Sequence, residues 1–268
     1  MKKLGWMVVA LAVSLSWGAG CAKKEAAGDR SLEKVVKKGA LVLGLDDAFP
    51  PMGFRNEDNE IVGFDIDVAR EVCKRLGVEL RPQPIDWNAK EQELNTGKID
   101  CIWNGFTITP ARQEQLNFTE PYVANAQVLV VRADAPIFKL SELMGKQVGL
   151  QAGSSAADAL EAAVEFRATL SKVVEFKDNL TALMDLEAGG VDAVVMDLLV
   201  ANDNIARSGK AHRILEERLA PEEYGVGFRK GDQALRDAVQ GVLSAMAKDG
   251  ALKEIAVHWF GADITTVK

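Results

Sequence analysis

The chain is poor in the residues that most chemistry needs. It has two histidines, His212 and His258, far apart in sequence, and three cysteines, Cys21, Cys73 and Cys101. None of these falls in a ligand-spaced cluster with carboxylates, so there is no recognisable metal site, and no nucleophile sits in motif spacing with a base. Cations are in deficit: 32 Lys and Arg against 39 Asp and Glu give a net charge of −7, which leaves no basic field to collect a phosphate backbone. Nucleic acid is therefore excluded as the expected partner, and hydrolytic or cofactor chemistry has no foothold. What is present is an ordinary globular composition, 48% hydrophobic and 26% charged over 268 residues, enough for one large domain or two small ones.

The composition is least uniform at its start. Lys2 and Lys3 precede an apolar run from Leu4 to Gly20, broken only by Ser14 and Ser16, and Gly18, Ala19 and Gly20 lead into Cys21. Charged, apolar and small-residue regions in that order form an export signal, and the run is short for a membrane span. A cysteine directly after small residues resembles the lipobox of bacterial lipoproteins, in which the thiol is acylated and the peptide is cut just before it. Gly18 departs from that pattern, which usually has Leu there. The expected organisation is a signal peptide over residues 1–20, then a polar tether over 21–35 that holds the protein to the membrane through Cys21. Removing the signal leaves 30 cations against 39 anions, a net charge of −9. Cys73 lies on the apolar stripe of an expected helix and Cys101 in an expected strand, so both read as buried free thiols.

Beyond the tether, short β-rich runs alternate with amphipathic helices. Residues 41–45, 99–103, 127–131, 147–150 and 191–196 read as strands, and Phe64 to Leu76 as a helix stopped by Gly77. That is α/β order with mostly parallel strands. Two internal echoes support two similar lobes. Leu94, Gly97 and Asp100 recur as Leu186, Gly189 and Asp192, while Gly44 and Leu45, before the polar Asp46, recur as Gly149 and Leu150 before Gln151. Two lobes make a cleft, and ligands sit outside the carboxyl ends of the strands.

Three groups stand at such ends. Thr109 and Pro110 start a helix as N-cap and first residue, which puts Arg112 in a first turn where a cation is disfavoured unless an anion joins it. A surface pairing of Arg112 with Glu114 or Glu120 is the plainer alternative. Gly153, Ser154 and Ser155 open a second helix and offer N–H donors to an anion, or simply cap it. Asp197 ends an apolar strand and needs a partner if buried, whether a ligand ammonium or the helix that follows. A cation with donors and a carboxylate, if they lie on facing lobes, compose a receptor for a zwitterion, and binding outranks catalysis.

The run from Gly44 through Asp46 and Phe49 to Pro51, the run Gly63, Phe64, Asp65, Ile66, Asp67, the stretch Asp100 to Arg112, and Phe118 to Tyr122 together resemble the extracellular solute-binding proteins of polar amino-acid ABC transporters. The similarity extends from about Leu41 to Trp259. It implies a periplasmic-binding-protein-like fold of type II: two α/β lobes joined by two crossing strands, near Val128–Arg132 and Tyr224–Phe228. Lobe 1 is expected over 36–130 and 225–268, and lobe 2 over 131–224. The resemblance further implies that Arg112 grips a ligand α-carboxylate with help from Thr107 and Ser155, next to the candidate donor Ser154, and that Asp197 and the Gly105 carbonyl take the α-ammonium. Phe49 and Trp87 would sandwich the ligand side chain, and Asp46, Asn104 and Gln151 would line its polar pocket. Some relatives carry half of a disulfide where Cys73 stands, but the other half is absent here.

The expected protein is a monomer without cofactor, on the periplasmic or extracellular side, that captures a polar or basic L-amino acid of the glutamine, arginine or lysine class and passes it to an ABC permease. An exported dehydratase on the same fold, or a ligand-sensing subunit of a membrane receptor, are the alternatives.

Overall fold

The computed structural model describes residues 28–268. The expected signal peptide and Cys21 lie outside the described residues. Two five-stranded sheets form the two lobes. The first contains β1 (Ala40–Leu45), β5 (Glu79–Pro84), β6 (Cys101–Ile102), β7 (Leu116–Phe118) and β13 (Gly227–Arg229), in the order β5-β1-β6-β13-β7. The second contains β8 (Val123–Arg132), β9 (Gln147–Gln151), β10 (Lys172–Phe176), β11 (Ala193–Asp197) and β12 (His212–Tyr224), in the order β10-β9-β11-β8-β12. A small antiparallel sheet of β2 (Ala48–Phe49), β3 (Gly53–Arg55) and β4 (Ile61–Val62) follows the first strand.

In each lobe the three strands at one side are parallel; β13 runs antiparallel to β6 and β7, and β8 runs antiparallel to β11 and β12. This is the type II two-lobe α/β fold. The echoes seen in sequence are hydrogen-bonded equivalents. The Asp100 carboxylate accepts from the Val42 amide at 2.7 Å while the Asp100 amide donates to the Val42 carbonyl at 2.8 Å. Asp192 does the same with Gln147, at 2.9 and 2.8 Å. Each Asp thus pins the start of its strand to the neighbouring parallel strand. The repeated glycine has a packing cause as well: a Cβ on Gly44 would run into Ile99, and one on Gly149 would stand 2.8 Å from Phe176 and 3.4 Å from Val191. Ile99 and Val191 each precede the pinned Asp.

The helix Phe64–Leu76 forms over the span its periodicity marks, burying Phe64, Ile66, Val68, Ala69, Val72 and Cys73, and Gly77 closes it at φ 71°. Cys73 and Cys101 are buried free thiols. The strand expected over residues 99–103 is shorter, Cys101–Ile102, because Asn104 and Gly105 turn away into the cleft.

Two boundaries differ from the sequence reading. The tether expected through residue 35 ends earlier, since Ser31–Lys38 is a helix with Ser31 and Val35 buried. Asp29 accepts from the Ala234 amide and the Ser31 hydroxyl from the Leu235 amide, which satisfies free donors at the start of the helix Gln233–Asp249. The first crossing also comes earlier than Val128–Arg132. The chain leaves the first sheet after Phe118 and joins the second at Val123, and all of β8 lies in the second sheet. Tyr122 and Tyr224, one on each crossing, pair through their backbones at 2.9 Å.

Candidate functional site

The loops that follow the parallel strands of both lobes meet at their carboxyl ends, as this class of sheet directs. Phe49, Trp87, Gly105, Thr107, Arg112, Gln151, Ser154, Ser155 and Asp197 line one narrow cavity of about 10 Å³ between the lobes. Asp46 and Asn104 stand beside it, where the Asn104 side-chain oxygen accepts from the Asp46 amide at 3.0 Å. The polar contacts that close this space run between lobes. Gln151 Nε2 donates to Asp46 Oδ2 at 2.6 Å, and the hydroxyls of Thr107 and Ser155 are 3.0 Å apart.

Arg112 is held by the local fold. Thr109 caps its helix by accepting from the Arg112 amide at 3.2 Å, with Pro110 in the first position. The guanidinium then lies over the Phe106 ring at 4.6 Å and donates to the Thr107 carbonyl at 2.9 Å and the Gly153 carbonyl at 3.4 Å. It pairs with neither Glu114 nor Glu120. Burial lowers its pKa, so its charge is held in a place short of solvent, and an arriving carboxylate would meet an under-compensated cation.

Ser154 occupies the N-cap of the helix Ser155–Ala162 but makes no side-chain cap bond; its hydroxyl instead donates to the Gln151 carbonyl at 2.7 Å. The first amides of that helix are thereby left without a side-chain cap beside the cavity. Asp197 likewise precedes the helix Leu198–Ser208 without capping it, because Asn125 Oδ1 accepts from the Leu199 amide at 3.3 Å in its place. The Asp197 carboxylate is free to face the cavity, where Oδ1 accepts from Asn125 Nδ2 at 2.8 Å and from the Tyr224 hydroxyl at 2.5 Å. Burial, then the nearby Glu222 charge, raises its pKa.

Beneath the cavity, Gly105 adopts φ 54° and its amide donates to the buried Asp65 carboxylate at 2.6 Å. Tyr122 donates to the other Asp65 oxygen at 2.8 Å. Burial pushes Asp65 up to about 7. The Gly105 carbonyl accepts no protein hydrogen bond among the described residues. Trp87, 8% exposed, packs edge-on against Phe106 at 5.7 Å, while Phe49 is 6% exposed. Both are core-like yet border the cavity.

Several residues of this region carried no signal in the sequence. Lys90 is 3% exposed and donates across the cleft to the Gly153 carbonyl at 2.8 Å and within its own lobe to the Trp87 carbonyl at 3.2 Å. Asn125, Gln127 and Tyr224 come from the crossing strands, as does Glu222, whose Oε2 accepts from Gln127 at 3.0 Å, Asn125 at 3.1 Å and Thr107 at 3.4 Å. Among the described residues no group of three His, Cys, Asp or Glu could hold a metal ion.

Two α/β lobes that close on a polar cavity at the ends of their strands make a two-lobe binding protein. The chain belongs to the bacterial extracellular solute-binding proteins, family 3, whose model matches residues 41–262. It is 32% identical to the L-cystine-binding protein TcyJ of Escherichia coli (strain K12), over 98% of this chain and 96% of that one. Among solved structures it is similar to Tv2483 bound to L-arginine (33% identical, TM-score 0.86, covering 90% of this chain and 98% of the other). It is equally similar to an ABC uptake transporter substrate-binding protein from Streptococcus pneumoniae with bound histidine (35% identical, TM-score 0.86, covering 89% and 99%).

Proposed function

We propose that the protein captures an L-amino acid with a hydrogen-bond-donating, preferentially cationic side chain outside the cytoplasmic membrane and delivers it to an ABC permease. Arg112 with the donors of Thr107, Ser154 and Ser155 would take the α-carboxylate. Asp197 and the Gly105 carbonyl would take the α-ammonium, with Phe49 and Trp87 against the side chain. The observation that carries the reading is that a first-lobe cation and a second-lobe carboxylate border one cavity, and that Gln151 of the same lining is bonded to Asp46, a buried acid with no Lys or Arg partner among the described residues. Burial raises the pKa of Asp46, so a cationic side chain would supply the compensation that the protein does not. Relatives named for cystine, arginine and histidine support an amino-acid ligand. We read the protein as a monomer that traps its ligand without turning it over, anchored to the membrane through an acylated Cys21.

Titration calorimetry with L-arginine, L-lysine, L-histidine, L-glutamine and L-cystine tests the reading. Binding near micromolar, about 8 kcal/mol, is expected for at least one cationic member. Folded protein that binds none of them, or that turns over prephenate or arogenate, would overturn it. Mass spectrometry of the membrane fraction tests the anchor, with a diacylglyceryl adduct on Cys21 expected.

A further inference from the structure

Glu222 is the charged group of the cleft for which the amino-acid reading has no task. It sits on β12 two residues before Tyr224, where the chain returns to the first lobe. Its Oε2 takes hydrogen bonds from Gln127, Asn125 and Thr107. Asn125 Nδ2 also donates to Asp197 Oδ1 at 2.8 Å, so a single amide nitrogen stands between two carboxylates. The groups that face this pair come from every side. Tyr224 donates from β12, Asn125 and Gln127 project from β8, Thr107 and Ser155 contribute hydroxyls, and Arg112 borders the same cavity but gives its hydrogen bonds to the carbonyls of Thr107 and Gly153. Among the described residues neither carboxylate has a Lys or Arg ion pair. Asp197 is buried and Glu222 half-buried, and a buried carboxylate that shares a donor with a second one does not ionise at little cost.

We propose that Glu222 is a second carboxylate of the ammonium pocket, and that before an amino acid binds, Asp197 keeps a proton beside the Glu222 charge, which the ligand's ammonium displaces to solvent. The charge balances: the singly protonated pair carries −1, and two ionised carboxylates with one ammonium also carry −1, with one proton released to water. The raised pKa of Asp197, caused by burial and then by Glu222, agrees with this. Binding then tightens as pH rises, by up to about tenfold per pH unit while the pair is protonated, whereas an ordinary carboxylate would leave affinity flat near neutrality. The inference rests on the amino-acid reading of the cleft.

Two measurements on the whole protein and on Glu222→Gln test it. In carbon-13 NMR without ligand, the Asp197 carboxyl, distinguished from that of Asp65 by its loss in Asp197→Asn, should titrate near neutral pH, and that titration should move toward acid in Glu222→Gln. In calorimetry with L-arginine in buffers of different ionisation enthalpy, the wild type should release about one proton per ligand near pH 7 and the variant less than about half of that. A ligand-free protein whose Asp197 carboxyl does not titrate near neutrality, or proton release unchanged by the substitution, would overturn the proposal. Failure of L-arginine to bind would tell against the reading of the cleft, and the ligand-free titration would still decide the proton.

Discussion

The side-chain amide of Gln151 donates to the Asp46 carboxylate at 2.6 Å, tying the end of a second-lobe strand to the end of a first-lobe strand. The same nitrogen reaches the Lys177 carbonyl at 3.2 Å, and Asp46 Oδ1 accepts from the Ala48 amide at 2.9 Å. Neutral donors therefore serve a buried acid beside the cavity, at the proposed place of the ligand side chain. Asp46→Asn should weaken L-arginine about tenfold more than L-glutamine, because a charge-assisted bond is lost in one case and a neutral one in the other. Equal losses by calorimetry would place the side chain elsewhere.

Arg112→Ala removes the one cation that borders the cavity among its described lining residues. A ligand carboxylate would then be desolvated without its partner, at a cost of about 2–5 kcal/mol, so affinity should fall beyond detection at micromolar protein. Circular dichroism should be unchanged, as the guanidinium makes only two hydrogen bonds, both to carbonyls. Wild-type affinity in this variant would move the carboxylate site.

Much of this arrangement was legible in the chain because it depends on local rules. Thr109 and Pro110 announce a helix start and so fix where Arg112 lies, and Gly97 and Gly189 mark equivalent helix ends before the pinned acids Asp100 and Asp192. Glu222 was not legible for a physical reason. It is one of four acids in the strand His212–Tyr224, and that strand carries register shifts between Ile214 and Arg218 and between Arg218 and Ala220. Each shift resets which side chains face the cleft, so alternation along the sequence cannot say which acid points inward. Lys90 was equally hidden, since a lysine between Ala89 and Glu91 reads as a solvated helix residue until the opposite lobe supplies the Gly153 carbonyl. Asp65 sat within a quoted motif, but its partners Gly105 and Tyr122 are 40 and 57 residues away.

Asp65 gives a pH dependence with a definite sign. Its pKa rises from 3.8 to about 7 on folding, chiefly through burial. Between those values the folded state keeps a proton that the unfolded chain has released, so this group lowers stability as pH rises from about 4 to about 7 and adds nothing further above that, with a slope of at most about 1.4 kcal/mol per pH unit. Asp65→Asn removes the titration, and Tyr122 can rotate its hydroxyl to accept from the new amide. Urea unfolding across this range should show the wild type losing stability relative to the variant. Parallel curves would contradict the assignment.

Gly105 has φ 54°, and an added Cβ would lie 2.8 Å from Phe49 Cε1 and 3.2 Å from the Tyr224 ring. Gly105→Ala should therefore destabilise the protein by about 1–3 kcal/mol. It should also weaken ligand binding, because Phe49 borders the cavity and Tyr224 holds Asp197. Thermal unfolding with and without L-arginine separates the two effects, and a variant with unchanged stability and affinity would show that the loop tolerates a side chain.

The orientation of the ligand is the centre of this account, and a crystal structure of the protein grown with L-arginine measures it directly. The account predicts electron density between the lobes with the α-carboxylate on Arg112 and the amides after Ser154, the α-ammonium on Asp197 and the Gly105 carbonyl, and the guanidinium at Asp46. Density in the opposite orientation, or bound L-arginine outside this cavity, would contradict it.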